Sequence, residues 1–361
     1  MENFCKTTTN AVDLLSKLIA LPSLSREEEQ TGTLIFSWLE ENGHRPQRHL
    51  NNVWAWARPH DNSKPTILLN SHHDTVRPGS NWMYDPFTPT FEGDKLVGLG
   101  SNDAGASVVS LLGVFHLLAA SEQPYNLVVA ITAEEEVSGT NGVASILPEL
   151  GPIDLGIVGE PTQMQMAIAE RGLLVLDCYI KGQTGHAARN EGVNAIYKAL
   201  PAIEWFRNHP FTESRGLLGP VKMSVTQINA GTQHNVVPDL CHLVVDVRVN
   251  ECYSNQEICE KIEQSVDFEV KPRSFRLNSS YISPDHPVVQ RGTSLGLGSY
   301  GSPTTSDQAL MPFSTIKIGP GDSARSHTPN EYVYIDEIAN GIETYWRLLD
   351  QLALNPVKNK I

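Results

Sequence analysis

A chain of 361 residues, 40% of them apolar, exceeds the usual size of one domain, so a large core divided between two domains is the default expectation. Its 27 basic against 41 acidic residues, a formal net charge of −14, work against nucleic acid or an anionic membrane as the main partner and allow carboxylate clusters that hold divalent cations. Residues 1–10 are polar with no signal-peptide core, and five scattered cysteines (Cys5, Cys178, Cys241, Cys252, Cys259) without a Cys-x-x-Cys pair suit reduced thiols, so the chain reads as cytosolic, without a membrane span, and any metal falls to histidine and carboxylates.

Residues 11–21 are amphipathic and stop at Pro22, and Ser25 with Glu28 three positions on forms a capping box that opens a helix to about Asn42. Strands follow at 53–57 and 66–70, the second closing in Asn70-Ser71-His72-His73-Asp74. After a Pro- and Gly-rich stretch, 77–92, a strand is predicted at 95–99 and a helix at 106–118 that is apolar almost all round, as a buried helix is. Residues 127–133 and 153–158 are two more apolar runs. Strands this apolar, alternating with helices, predict an α/β fold with a mostly parallel sheet covered on both faces.

From Leu173 the pattern changes. Residues 173–180 alternate apolar and polar, 194–206 are helical, 222–229 and 241–249 are strands joined through Gly231 and Pro238, 256–266 are helical and 268–270 begin a last strand. The order β-α-β-β-α-β is the split unit of ferredoxin-like folds. Residues 172–283 are therefore expected to be an inserted domain between the two parts of a larger one, 1–171 and 284–361. That larger domain resumes with a helix at 288–295, a strand at 315–318 and a helix at 336–354, and residues 358–361 are expected to fray.

Four of the predicted parallel strands end in candidate metal ligands: His72, the run Glu134-Glu135-Glu136, Glu160 in Gly159-Glu160-Pro161, and His327 in a glycine-rich loop. Asp103, between a strand and the buried helix, falls at the same end. Open α/β sheets bind ligands beyond the carboxyl ends of their strands, so residues scattered along the sequence converge there. Each residue alone also has a plain reading: a turn, a solvated helix start, an N-cap. Asp74, two positions after His72, is placed as a carboxylate that holds the imidazole's other N–H.

The blocks Ser71-His72-His73-Asp74, Gly98-Leu99-Gly100-Ser101-Asn102-Asp103, Ala133-Glu134-Glu135-Glu136, Gly159-Glu160-Pro161-Thr162, Gly182-Gln183-Thr184-Gly185-His186 and His327-Thr328-Pro329-Asn330-Glu331 resemble, in that order, those of the di-zinc aminoacylase and peptidase family that contains acetylornithine deacetylase, succinyl-diaminopimelate desuccinylase and carboxypeptidase G. The resemblance covers nearly the whole chain. It implies two zinc (or cobalt) ions, one held by His72 and Glu160, the other by Glu136 and His327, with Asp103 bridging both and Asp74 as the partner of His72. It also implies Glu135 as general base, the insertion as a lid that mediates homodimerisation, and His186 as an oxyanion donor supplied by the partner subunit. Two departures stand out: Asp103-Ala104-Gly105-Ala106 lacks the lysine that many members carry after the aspartate, and Arg189-Asn190 follows the Gly-His block where a proline is usual.

The Gly182-to-His186 run, leading into Gly192-Val193-Asn194, and the Gly159-Glu160-Pro161-Thr162 block look most like acetylornithine deacetylases. The implied reaction is removal of the acyl group from an N-acyl amino acid, N-acetylornithine (or N-acetylcitrulline or N-succinylornithine) in arginine biosynthesis. The alternatives are succinyl-diaminopimelate desuccinylation or dipeptide hydrolysis, and, outside enzymes, a metal-binding scaffold that retains the fold. Such substrates carry carboxylates, which a guanidinium receives in bidentate fashion, so Arg171 and Arg248 are candidates for substrate binding. Asn235, in Gln233-His234-Asn235-Val236-Val237-Pro238, resembles a substrate-site asparagine of the family.

Overall fold

In the computed structural model, which describes residues 2–354, Ile67, Leu68 and Leu69 are all fully buried, on opposite faces of one strand. Ile67 and Leu69 join the larger core, with Leu14 and Leu15 of the helix Glu2–Ile19, Leu111 and Phe115 of the helix Ala106–Ala119, and Ile342 and Tyr345 of the helix Ile335–Leu349. Leu68 joins a second cluster with Trp54, Val128 and Ile146, the last on the helix Val143–Leu150. A strand apolar at every position is thus covered on both sides, which is why it reads as a continuous run rather than an alternation.

That strand, Thr66–His72, pairs in parallel with Asn126–Thr132 on one side and Leu155–Val158 on the other, and Thr315–Lys317 adds a further parallel strand beyond Leu155–Val158. Antiparallel strands flank these four: Asn52–Trp56 and Gln47–His49 at one edge, Met166–Glu170 and Ser280–Tyr281 at the other. The sheet is therefore mixed, with a parallel centre. The chain leaves Thr66–His72 first to one side and then to the other, so the carboxyl end of this strand is a topological switch point.

The described residues divide into two contact units. The first runs to Ile168, takes Ile282–Tyr300 and resumes at Ser306; the second is Ala169–Tyr281 with Gly301–Thr305. In the second, the antiparallel strands lie in the order Lys222–Ala230, Leu240–Val249, Gly172–Lys181, Glu269–Pro272, with helices Ala195–Arg207 and Asn255–Ser265 between them in sequence. This is the ferredoxin-like arrangement. Leu174, Leu176, Cys178 and Ile180 pack with Ala199, Phe206, Ile258 and Ile262, and the residues between them point the other way, which produces the period of two.

Several local expectations differ from the structure. The first helix starts near the N-terminus rather than at Ala11, because Phe4 packs edge-on against Trp346 at 5.6 Å and gives the polar first turns one apolar anchor. Ser25 and Glu28 form no capping box: the next helix is Glu29–Glu41, the Ser25 hydroxyl donates to Asp74 Oδ2 at 2.8 Å, and the Glu28 carboxylate accepts from Asn51 at 2.8 Å. The strand Lys95–Val97 belongs not to the central sheet but to a small one with Thr90–Glu92 and Tyr332–Tyr334. The last helix ends at Leu349, and the tail expected to fray, 358–361, lies outside the described residues. Among the described residues one stretch, Ser101–Ala119, is long and apolar enough to cross a membrane, and 78% of it is buried inside the protein as a core helix.

Candidate metal centre

Four loops that follow the parallel strands, together with the turn before the buried helix, bring six titratable side chains of the first unit together. His72 is the last residue of its strand and 1% exposed; its Nε2 lies 3.3 Å from Asp103 Oδ1, 3.7 Å from Glu160 Oε1 and 3.9 Å from Glu135 Oε2. On the other side, His327 Nε2 lies 3.5 Å from Asp103 Oδ2 and 3.0 Å from Glu136 Oε2. Ligand atoms of His72, Asp103 and Glu160 fall within 4.8 Å of one another, and so do those of Asp103, Glu136 and His327. The two groups share Asp103, whose oxygens face different imidazoles.

The three consecutive glutamates separate because the main chain turns sharply after Thr132, with Glu134 at φ 58°. Glu134 is held back by Asn141, whose side-chain amide donates to it at 2.9 Å, while Glu135 and Glu136 reach the two histidines. Asp74 holds this turn in place. Its carboxylate accepts the N–H of Glu135 at 3.0 Å and of Glu136 at 3.2 Å, so its side chain serves these amides more closely than His72. The His72 ring N–H is received instead by the Asp74 main-chain carbonyl, Nδ1 to O at 3.0 Å, with the carboxylate at 3.5 Å. Both the carbonyl and the carboxylate of Asp74 thus face this ring nitrogen, and the shorter contact, to the carbonyl, fixes the tautomer. His73 turns away, to Thr31 at 2.8 Å and the Asn51 carbonyl at 2.9 Å.

With Nδ1 of His72 directed to the Asp74 carbonyl, Nε2 is the remaining ring nitrogen, and this buried atom has no hydrogen-bond partner although carboxylate oxygens surround it. Such an arrangement is repulsive unless positive charge stands between the atoms. The proton balance tells the same story. Burial lifts Glu135 well above the usual carboxylate range, with Glu160, Asp307 and Glu136 repelling it against the pull of His72. Burial also lifts Glu160 to about 8. For His72 burial works downward but is overcome by Asp103 and Asp74, so the imidazole is raised well above its ordinary value; His327 is raised to about 9, chiefly by its hydrogen bond to Glu136. Four carboxylates and two imidazoles thus crowd one centre, a donor set that fits two divalent cations.

Two residues unassigned from the sequence also engage this centre. Glu331, 2% exposed, accepts the N–H groups of Gly100, Asn102 and Asp103, and the fully buried Asn102 reaches Asp322 and Ser326. Glu331 stands four positions after His327, but nothing in the local sequence shows where its side chain goes.

The remaining expected residues belong to the second unit. His186 is exposed, and its Nδ1 accepts the Ala188 N–H at 3.2 Å, so the proton resides on Nε2, the donor form of the ring. Its short strand, Gly185–His186, pairs with Val236–Val237, and the Asn235 carbonyl accepts the Ala187 N–H at 3.1 Å, so His186 and Asn235 sit side by side. Arg171 and Arg248 are otherwise engaged. Arg171 donates to the main-chain carbonyls of Pro220 at 3.0 Å and Arg248 at 3.1 Å and to that of Leu218, while Arg248 forks onto Asp246 at 2.8 and 3.0 Å. Both guanidiniums thus have partners within the chain, and Arg248 is 31% exposed.

Comparison with known proteins places this geometry in a family. A succinyl-diaminopimelate desuccinylase of Stenotrophomonas maltophilia is 26% identical over 94% of this chain and 98% of its own length. A peptidase M20 domain-containing protein of Schizosaccharomyces pombe is 26% identical over 94% of this chain and 84% of its own. Among solved structures, aminopeptidase PepT of Bacillus cereus superposes with a TM-score of 0.76 at 18% identity, covering 96% of this chain and 98% of that one. A dinuclear metal binding peptidase of the M20 family from Bacillus subtilis gives 0.72 at 17% identity, covering 95% and 98%. The relatives named here are desuccinylases and peptidases rather than acetylornithine deacetylases. Residues 68–351, which carry every residue of the two cation clusters, match the description of peptidase family M20/M25/M40, and the chain belongs to that family of hydrolases.

Proposed function

We propose that this chain hydrolyses the amide of an N-acyl amino acid, in the first instance an N-succinylated one, at two divalent cations held by His72, Asp103 and Glu160 and by Asp103, Glu136 and His327. The observation that carries the reading is Asp103, whose two oxygens face imidazoles on separate loops, with Glu135 beside the first of them. The Bacillus subtilis neighbour, described as binding a dinuclear metal, supports the pair of ions. Ions so placed polarise an amide carbonyl and acidify water.

Glu135, whose Oε2 lies 3.9 Å from His72 Nε2, takes a proton from the attacking water and hands it to the departing nitrogen, answering the two reasons amides resist hydrolysis: a weak nucleophile and a poor leaving group. Burial, which favours the protonated form of this carboxyl, suits it to the second step. A binding scaffold needs ligands but no base, so Glu135 beside the full ligand set supports catalysis over that rival. His186 is assigned as the donor to the oxyanion and Asn235 as a substrate contact.

The acetylornithine reading rests on sequence blocks alone, whereas two relatives that span 94% of the chain at 26% identity bear the desuccinylase name. The succinyl group therefore comes first. A cobalt- or zinc-loaded preparation assayed for free amine release on N-succinyl-diaminopimelate, N-succinylornithine, N-acetylornithine and dipeptides separates the readings. Higher kcat/KM on the succinylated compounds supports the proposal, preference for acetylornithine returns the reading to arginine synthesis, and no release from any of them, with both ions bound, overturns the acyl amino acid class. The five thiols are free, which suits the cytosol.

A further inference from the structure

Neither Asp103 nor His327 is fixed by the element that carries it. Asp103 lies in a turn at φ −117°, ψ 96°, outside helical geometry, and His327 is at φ 58° with its side chain 54% exposed. Yet both must stand within ångströms of the cation they share. Two ties running in opposite directions supply what packing does not. From the loop that carries His327, the buried Glu331 carboxylate reaches the turn of Asp103: Oε1 accepts from the N–H of Asn102 and of Asp103, each at 2.8 Å, and Oε2 from Gly100 at 3.0 Å. From the turn, Asn102 reaches back. Its Oδ1 accepts the Asp322 N–H at 2.9 Å, and its Nδ2 donates to the Asp322 carbonyl at 3.1 Å and to Ser326 Oγ at 3.3 Å. Gly321, at φ 89°, approaches so closely that a Cβ there would lie 2.3 Å from Asn102 Oδ1, so the loop main chain is seated directly on this amide.

We propose that Glu331 and Asn102 are positioning residues that set the two cation sites, Glu331 through the bridging Asp103 and Asn102 through the loop of His327. The inference rests on the cation-pair reading above. A carboxylate is the group that receives three converging N–H donors, and leaving even one such buried donor unpaired is costly. In Glu331→Gln the amide oxygen still accepts two of them, but its NH2 meets the N–H of Gly100 donor to donor, and the turn must shift. Ligand partners of this kind typically account for about 10- to 100-fold in metal affinity.

The test titrates chelator-stripped wild type, Glu331→Gln and Asn102→Ala with cobalt(II), reading affinity by calorimetry, magnetic coupling between bound ions by electron paramagnetic resonance, and the melting temperature of each metal-free protein. Wild type is expected to take two ions with coupled spins. Glu331→Gln should bind both about 10- to 100-fold more weakly and lose the coupling, because Asp103 serves both, whereas Asn102→Ala should weaken one ion and leave the other near wild type. A purely structural role would lower the melting temperature and leave the cobalt isotherms of the folded variants unchanged; that result overturns the inference alone. If Glu331→Gln does not fold, Asn102→Ala decides: two wild-type affinities overturn the proposal. Wild type that binds fewer than two ions overturns the cation-pair reading and the inference with it.

Discussion

Glu134, Glu135 and Glu136 are consecutive, yet one is tied to Asn141, one points at His72 and one at His327. A glutamine at each of the last two positions therefore has distinct consequences. On the proposed roles Glu135→Gln keeps the ligand set whole and removes the base, so both cations should remain while kcat falls by about 10² to 10⁴. Glu136→Gln removes a charged ligand and should weaken one cation as well as activity. Elemental analysis beside the rate measurement separates them, and a Glu135→Gln protein that sheds metal while Glu136→Gln keeps it reverses the two roles. Asp103→Ala should disturb both ions, since its oxygens lie 3.3 Å from His72 Nε2 and 3.5 Å from His327 Nε2. One ion retained at wild-type affinity in that variant would refute a bridging Asp103.

Between elements, the same logic of burial and charge operates away from the metal centre. His44, just beyond the helix Glu29–Glu41, contacts His116 of the helix Ala106–Ala119, Nε2 to Nδ1 at 3.2 Å, and its ring lies against Phe115 with centroids 4.7 Å apart. Burial lowers the pKa of His44 to about 4, with the charge of His116 adding to the effect, and burial lowers His116 too. Folding therefore favours neutral imidazoles here. The stability this represents is present above the unfolded value of about 6.5 and is lost as pH falls from there towards 4. His44→Gln cannot titrate, so the difference in urea midpoint between variant and wild type should move in the variant's favour between pH 7.5 and 4.5. Parallel pH profiles would show that the pair does not contribute. In the second unit, Arg273 and His242 hold the Asp177 carboxyl down to about 2, burial opposing them, so that this contribution is lost only as pH falls from about 4 towards 2.

For the molecule as a whole, the placement of His186 has the largest consequence, because all the cation-cluster residues belong to the first unit and His186 to the second. Tyr197 at 71% and Leu200 at 60% exposure on the helix Ala195–Arg207 leave apolar side chains on the surface of the second unit. If the partner subunit's His186 serves each site, His186→Ala should lower turnover by about 10² to 10³ with metal content intact. Mixing it with Glu135→Gln under subunit exchange should then restore about a quarter of wild-type activity, since half the dimers are mixed and each has one intact site. No recovery despite demonstrated exchange would place His186 with its own chain or outside the chemistry.

What the sequence determined by itself was whatever depends on near neighbours. Continuous apolar runs such as 66–70 and 127–133 marked strands buried on both faces, alternation from Leu173 marked a one-sided sheet, and the residues just after the strand ends were the candidate ligands. What only the tertiary structure decided were the partners of polar side chains. Ser25 and Glu28 have the spacing of a capping box, but the fold brings each another partner, Ser25 in Asp74, 49 positions on, and Glu28 in Asn51. Arg171 and Arg248 have the chemistry to receive a carboxylate and are taken by carbonyls and by Asp246. Glu331 lies 228 positions from the Asp103 amide it accepts, and His327 191 from Glu136. Apolar burial is set by pattern and tolerates many neighbours, so it is legible locally; a hydrogen bond or a cation ligand requires one particular atom at about 3 Å, and only the completed fold supplies it.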